Sequence, residues 1–149
     1  MQAELRAALV EDLDQLIRLH DRELDNVTLA ALKAADFPGG LALAPVDGMA
    51  VQAYANVSAA LASLSDAPAA GVIDDLAADY AAIYLNNRLG ASPYESVWLD
   101  DDHLACQRPM FELREIYAAA GFKAADWRSR FDDHLVLHLH SLRHALQTV

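Results

Sequence analysis

Apolar residues recur at intervals of three and four along almost the whole chain, the spacing of one helix face. Leu5, Leu9, Leu13, Leu16 and Ile17 form such a stripe, with Glu4, Glu11 and Asp14 elsewhere on the turn, and predict a helix from about Ala3 to Leu24. A second segment, Asn26 to Ala35, has Asn26 as its expected N-cap. Phe37-Pro38-Gly39-Gly40 and Pro45-Val46-Asp47-Gly48 bracket a loop, after which Asp47 reads as the cap of a third helix. Val51, Tyr54, Val57, Leu61 and Leu64 are its expected buried face. A connection over Asp66–Gly71 leads to a fourth helix, about Ile73 to Asn87, carrying Leu76, Tyr80, Ile83 and Tyr84 on one side.

The pattern then breaks over Arg88–Asp102, where Gly90 and Pro93 stand among Tyr94, Val97, Trp98 and Leu99. A loop so rich in large apolar groups either folds onto the core or meets a partner. A fifth helix is expected over His103–Ala120, with Met110, Leu113, Ile116 and Tyr117 as its stripe and Gly121 closing it. Pro109 either kinks this helix or marks its true start. The last helix begins near Asp132 or Asp133, with Phe131, Leu135, Leu139, Leu142 and Leu146 on one stripe and Leu137 pointing away from it. Runs with period two are lacking. The pattern predicts an all-α, single-domain helical bundle of about six helices spanning residues 1–149.

Composition narrows the partners more than the fold. The 149 residues are 54% hydrophobic and carry a net charge of −11, which repels phosphate and makes nucleic acid and anionic membrane poor partners. Basic peptides are natural ones. No apolar run is long enough for membrane insertion, and the acidic N-terminus does not resemble a signal peptide, so a cytoplasmic location is expected. A single cysteine, Cys106, leaves no disulfide framework.

Candidate chemistry is sparse. His134/His138 and His140/His144 have the four-residue spacing that can share a metal ion, but the two pairs face different sides of one helix, and HExxH is absent. They read as structural or surface histidines, with a metal-responsive pair at His134 and His138 as the alternative. Ser96 has no nucleophile elbow around it, and Cys106 reads as a buried or neutral thiol on a helix. The acidic pairs Asp74-Asp75 and Asp132-Asp133 and the run Asp100-Asp101-Asp102 fall at expected helix starts, where capping accounts for them. Neither a Walker A sequence nor G-x-G-x-x-G occurs, so a nucleotide-binding enzyme has no support in the sequence, and no cofactor and no metal enter the reading.

Several weaker motifs occur in a telling order. Asp79-Tyr80-Ala81-Ala82-Ile83-Tyr84-Leu85 is followed by Pro93-Tyr94-Glu95-Ser96-Val97-Trp98-Leu99-Asp100, then by Pro109–Tyr117 with Gly121, and finally by Asp133-His134-Leu135. Over roughly residues 76–140 this resembles the TorD/DmsD/NarJ family of redox-enzyme maturation chaperones. The resemblance implies an all-helical cytoplasmic chaperone, not an enzyme, that binds the twin-arginine leader and apoprotein of a molybdenum-containing oxidoreductase and assists cofactor insertion before export. The positions it carries over for peptide binding are Tyr84, Tyr94, Ser96, Trp98, Asp133 and His134. A cationic, partly apolar leader suits a Tyr/Trp-lined groove with a carboxylate at its rim. The runner-up is a generic helical interaction adaptor whose aromatic loop completes its own core.

The chain departs from the family in three places. Asp132 stands where Pro is usual, and His138 and His140 stand where the family tends to carry Glu and apolar residues. The sequence also stops before the family's last helices, as either a short member or a truncated chain would, and a concentration-dependent homodimer through the final helix is expected.

Overall fold

A computed structural model describes residues 2–124 and 130–148. The described residues form seven α-helices and one π-helical turn, with an all-α architecture. They fall into two compact units, residues 1–80 and 81–149.

The first unit contains α1 (Gln2–Asp21), α2 (Asn26–Ala34), α3 (Gly48–Ser63) and α4 (Ala70–Tyr80). Leu13 and Ile17 of α1 are buried, as are Leu29 and Leu32 of α2 and Phe37 after it. Asp25, not Asn26, caps α2: its Oδ1 accepts the Thr28 N–H at 2.7 Å, which holds its carboxyl below the usual range. Asp47 caps α3 as expected, accepting from Ala50 N at 2.7 Å. Asp12 is a buried carboxylate that the leucine pattern hid. Its two oxygens accept the N–H groups of Ala42 (3.0 Å) and Leu43 (2.8 Å), fastening the glycine-rich loop to α1.

The expected buried face of α3 is only partly covered, with Val51 and Val57 exposed and Tyr54, Leu61 and Leu64 half-buried. Polar contacts share the work of holding α3 there. Tyr54 Oη donates to Leu43 O at 2.6 Å, and Lys33 Nζ donates to Leu64 O at 2.6 Å at the helix's far end.

The second unit begins with the π-helical turn Ala81–Leu85, so the expected helix 73–87 does not run unbroken. After a long loop come α5 (Ser96–Leu99), α6 (Arg108–Ala119) and α7 (Leu135–Thr148). Pro109 marks the start of α6, lying in its first turn, where a missing N–H costs nothing. The helix therefore begins five residues later than expected. Gly121 closes it with φ +69, a left-handed conformation that glycine adopts freely.

Tyr117, Ala124 and Leu137 form the core of this unit, with Leu113 and Phe122 packed around them. Ile116, expected on the buried stripe, is 60% exposed; the buried side of α6 runs through Met110, Leu113 and Tyr117. The face of α7 is also corrected. Val136 and Leu137 are its buried residues, while Phe131 and Leu142 are exposed. The cause lies in the histidines. His138 reaches Tyr117 on α6, and His144 Nε2 lies 3.2 Å from Ala120 O at the C-terminal end of α6, where free carbonyls seek donors. These contacts bring the Leu137 side of α7 against α6. Leu137 is thus covered by the chain's own core and is not available to a second copy.

Candidate functional site

The loop between the π turn and α6 is held by residues that begin α7. Pro93 O accepts the Leu135 N–H at 2.8 Å, the Glu95 N–H donates to Asp133 O at 3.0 Å, and Tyr94 and His134 pair as an isolated antiparallel bridge. Helix α5 has only four residues, too few to sustain a helix alone, and Glu95 at its N-cap position offers no side-chain bond. The cap comes from far along the chain. Asp133 Oδ2 accepts the Ser96 N–H at 2.9 Å, and the two residues are 37 apart in sequence. Ser96 Oγ in turn accepts the Gln107 N–H at 3.2 Å, tying α5 to the start of α6.

Asp133 is therefore not at a rim. It is 0% exposed, as is Ser96, and its second oxygen, Oδ1, takes no hydrogen bond in the protein. Nor does it cap α7: His134 does so, its Nδ1 accepting the Val136 N–H at 3.1 Å, which requires the ring proton of a neutral His134 to sit on Nε2. Asp132 is engaged separately by Arg114, whose Nε lies 2.6 Å from Oδ2. The adjacent acids thus divide their work between two neighbours, Asp132 toward α6 and Asp133 toward α5.

The aromatic residues lie around this clamp. Tyr94 is half-buried, its ring edge-on to His134 (centroids 5.0 Å) and tilted against Phe131 (5.6 Å). Trp98, one turn further on, is 58% exposed, and its indole N–H donates to Ser92 O at 2.9 Å. Leu99, the next residue, and Leu104, further along the same loop, are also exposed. Tyr84 lies half-buried in the π-helical turn. The clamp thus brings Tyr94, Ser96, Asp133 and His134 together, with Trp98 fixed at its outer end and Tyr84 on a separate element.

Cys106 is neither helical nor buried: it is exposed in the loop with φ 62. Among the described residues no three His, Cys, Asp or Glu side chains converge as a metal site requires. His134 and His138 instead contact the backbone of Val136 and the hydroxyl of Tyr117.

Two participants entered the sequence reading only as a motif or stripe position, not as site residues. Glu95 turns its carboxylate toward His138, Nε2 to Oε2 being 3.6 Å. Tyr117 joins the same group through His138 Nδ1 at 3.4 Å. The four-residue step from His134 to His138 was the available signal, since it puts both rings on one side of α7.

The family model described as "Nitrate reductase delta subunit" matches residues 51–148, a stretch that includes the whole loop, the clamp and α7. The chain belongs to this family. No curated protein and no solved structure matches it. The nitrate reductase delta family is one of molybdoenzyme-maturation chaperones, a role that calls for recognition of a protein client and not for catalysis.

Proposed function

We propose that this nitrate reductase delta family member binds the twin-arginine leader of a molybdenum-containing oxidoreductase, holds the apoprotein during cofactor insertion on the cytoplasmic side, and then permits export. The observation that carries the reading is an exposed Trp98 on a loop whose backbone is locked. A tryptophan left in water on a mobile loop collapses onto the nearest apolar surface. Here Pro93, Glu95 and Ser96 are all fixed to residues 133–135, and Trp98 is itself tethered to Ser92. Rigid exposed aromatics lose little entropy on binding and serve as anchors.

Trp98 and the half-buried Tyr94 and Tyr84 offer ring surface to the leader's apolar stretch. Asp133, Ser96 and His134 act from beneath, by fixing the loop. The exposure of Trp98 favours this reading over an adaptor whose loop only completes its own core. No helix among the described residues is long and apolar enough to cross a membrane.

Calorimetry with a synthetic twin-arginine leader peptide tests the proposal. Trp98→Ala removes an exposed side chain, so the fold should be retained while affinity falls by at least tenfold, equivalent to ~1.4 kcal/mol. Equal affinity for the variant and the native chain would remove the loop from the binding surface.

A further inference from the structure

Among the described residues, α3 is the longest stretch of helix without a charge: none of its 16 residues is Asp, Glu, Lys or Arg, and none is buried. Its inward side is Ala50, Tyr54 and Leu61, each half-buried. Beside them Met49, Ala53, Val57 and Ala60 follow at steps of four, four and three, the spacing of one apolar stripe. All four are exposed, Met49 by 82%. A single apolar residue in water needs no explanation. An ordered stripe over three turns does, because it repeats the pattern by which a helix meets a neighbour. Ala53 and Ala60 are small enough for a second helix to come close between Met49 and Val57.

The surrounding charge selects the occupant. No Lys, Arg or His stands between Lys33 and Arg88, whereas six aspartates do. Asp47 is engaged as the cap of α3, and Asp66 pairs with Lys33 at 3.1 Å. Asp74, Asp75 and Asp79 of α4 are exposed and, among the described residues, have no ion pair. The first unit as a whole carries thirteen carboxylates against four Lys and Arg, so most of the net charge of −11 resides there. A second copy would bring the same field to this face, and phosphate on nucleic acid or an anionic membrane is repelled by it. A cationic protein segment is attracted.

We propose that the Met49/Ala53/Val57/Ala60 face of α3 is a docking surface for a basic amphipathic helix of a partner protein. The partner's apolar ridge packs along the stripe, with anchors at the same three- and four-residue steps, and its Lys and Arg flanks stand in the field of the aspartates. The surface is distinct from the loop that presents Trp98 and does not depend on the leader reading.

The probe is a fluorescent peptide of leucine and lysine patterned as one amphipathic helix, titrated with the full chain and read by anisotropy. One control peptide has the same residues in an order without an apolar face; the other has glutamate for every lysine. The native chain should bind the patterned peptide about tenfold more tightly than either control. Met49→Gln combined with Val57→Gln places a good helix former at two exposed positions, so the fold should be kept while binding weakens about fivefold. Trp98→Ala should leave the affinity unchanged. A photocrosslinking group on the peptide should attach within residues 46–64 of the native chain, a readout that depends on no variant folding. Equal binding of either control, unchanged affinity in the α3 variant, loss of affinity in Trp98→Ala, or attachment outside that segment would overturn the inference. So would sedimentation in which the native chain pairs with itself and the α3 variant does not, since the face would then belong to a second copy. Each of these results leaves the leader reading standing.

Discussion

At the scale of single residues, the clamp depends on Asp133 doing for α5 what α5 cannot do for itself. Ser96 is fully buried, so its N–H has no water to turn to if the carboxylate is removed. Asp133→Ala should therefore destabilise the chain by about 1–3 kcal/mol, the cost of a buried donor left without an acceptor. Asp133→Asn keeps an oxygen at that place and should cost less. Urea denaturation of the two variants checks the order, and an alanine variant as stable as the native chain would contradict the clamp. Tyr117 gives a second residue-scale prediction. Its hydroxyl ionises at about 12 in the folded chain and near the ordinary 10 when unfolded. Between those values the unfolded state binds fewer protons, so stability falls as pH rises from about 10 to 12. Tyr117→Phe should flatten that alkaline decline in thermal melts recorded across the range.

At the scale of elements, two glycines near α3 separate backbone necessity from convenience. A Cβ at Gly40 would collide with the Ala35 carbonyl oxygen, whereas one at Gly48, the first residue of α3, meets nothing within 4 Å. Gly40→Ala should cost about 1–3 kcal/mol, and Gly48→Ala should be neutral or stabilise by up to ~1 kcal/mol through a less flexible unfolded chain. Thermal denaturation distinguishes them. Elements governed by local chemistry were readable in advance: the Asp47 cap, the Gly121 stop, and Pro109 as one of two stated possibilities for the start of α6. What could not be read was set from a distance. Helix α5 exists because Asp133, far along the chain, caps it, and no local pattern carries that information. The face of α7 was misread because leucines outnumber the polar contacts that orient it, yet His138 and His144 find partners on α6 while Leu142 stays in water. The family motifs named the loop and the Asp-His pair, which the structure joins, but they carried no depth: a carboxylate was expected at a groove's rim, and Asp133 lies inside.

At the scale of the whole molecule, the net charge of −11 acts on any cationic leader before contact. On the proposed leader reading, association should slow as salt rises, because screening shortens to ~8 Å near 0.15 M, while dissociation, set on that reading by apolar contacts with Trp98, should change little. Stopped-flow rates at two ionic strengths check this, and equal association rates would remove steering from the account. The clamp also has a consequence in time. A chain made from its N-terminus emits Pro93–Leu99 well before Asp133, and a four-residue helix has no stability until its distant cap arrives. On the ribosome, α6 must therefore be complete, and the first turn of α7 outside, before the loop is locked. Closing so wide a segment costs more chain entropy than a local turn does. Nascent or prematurely ended chains that stop short of Asp133 consequently lack the rigid loop that presents Trp98.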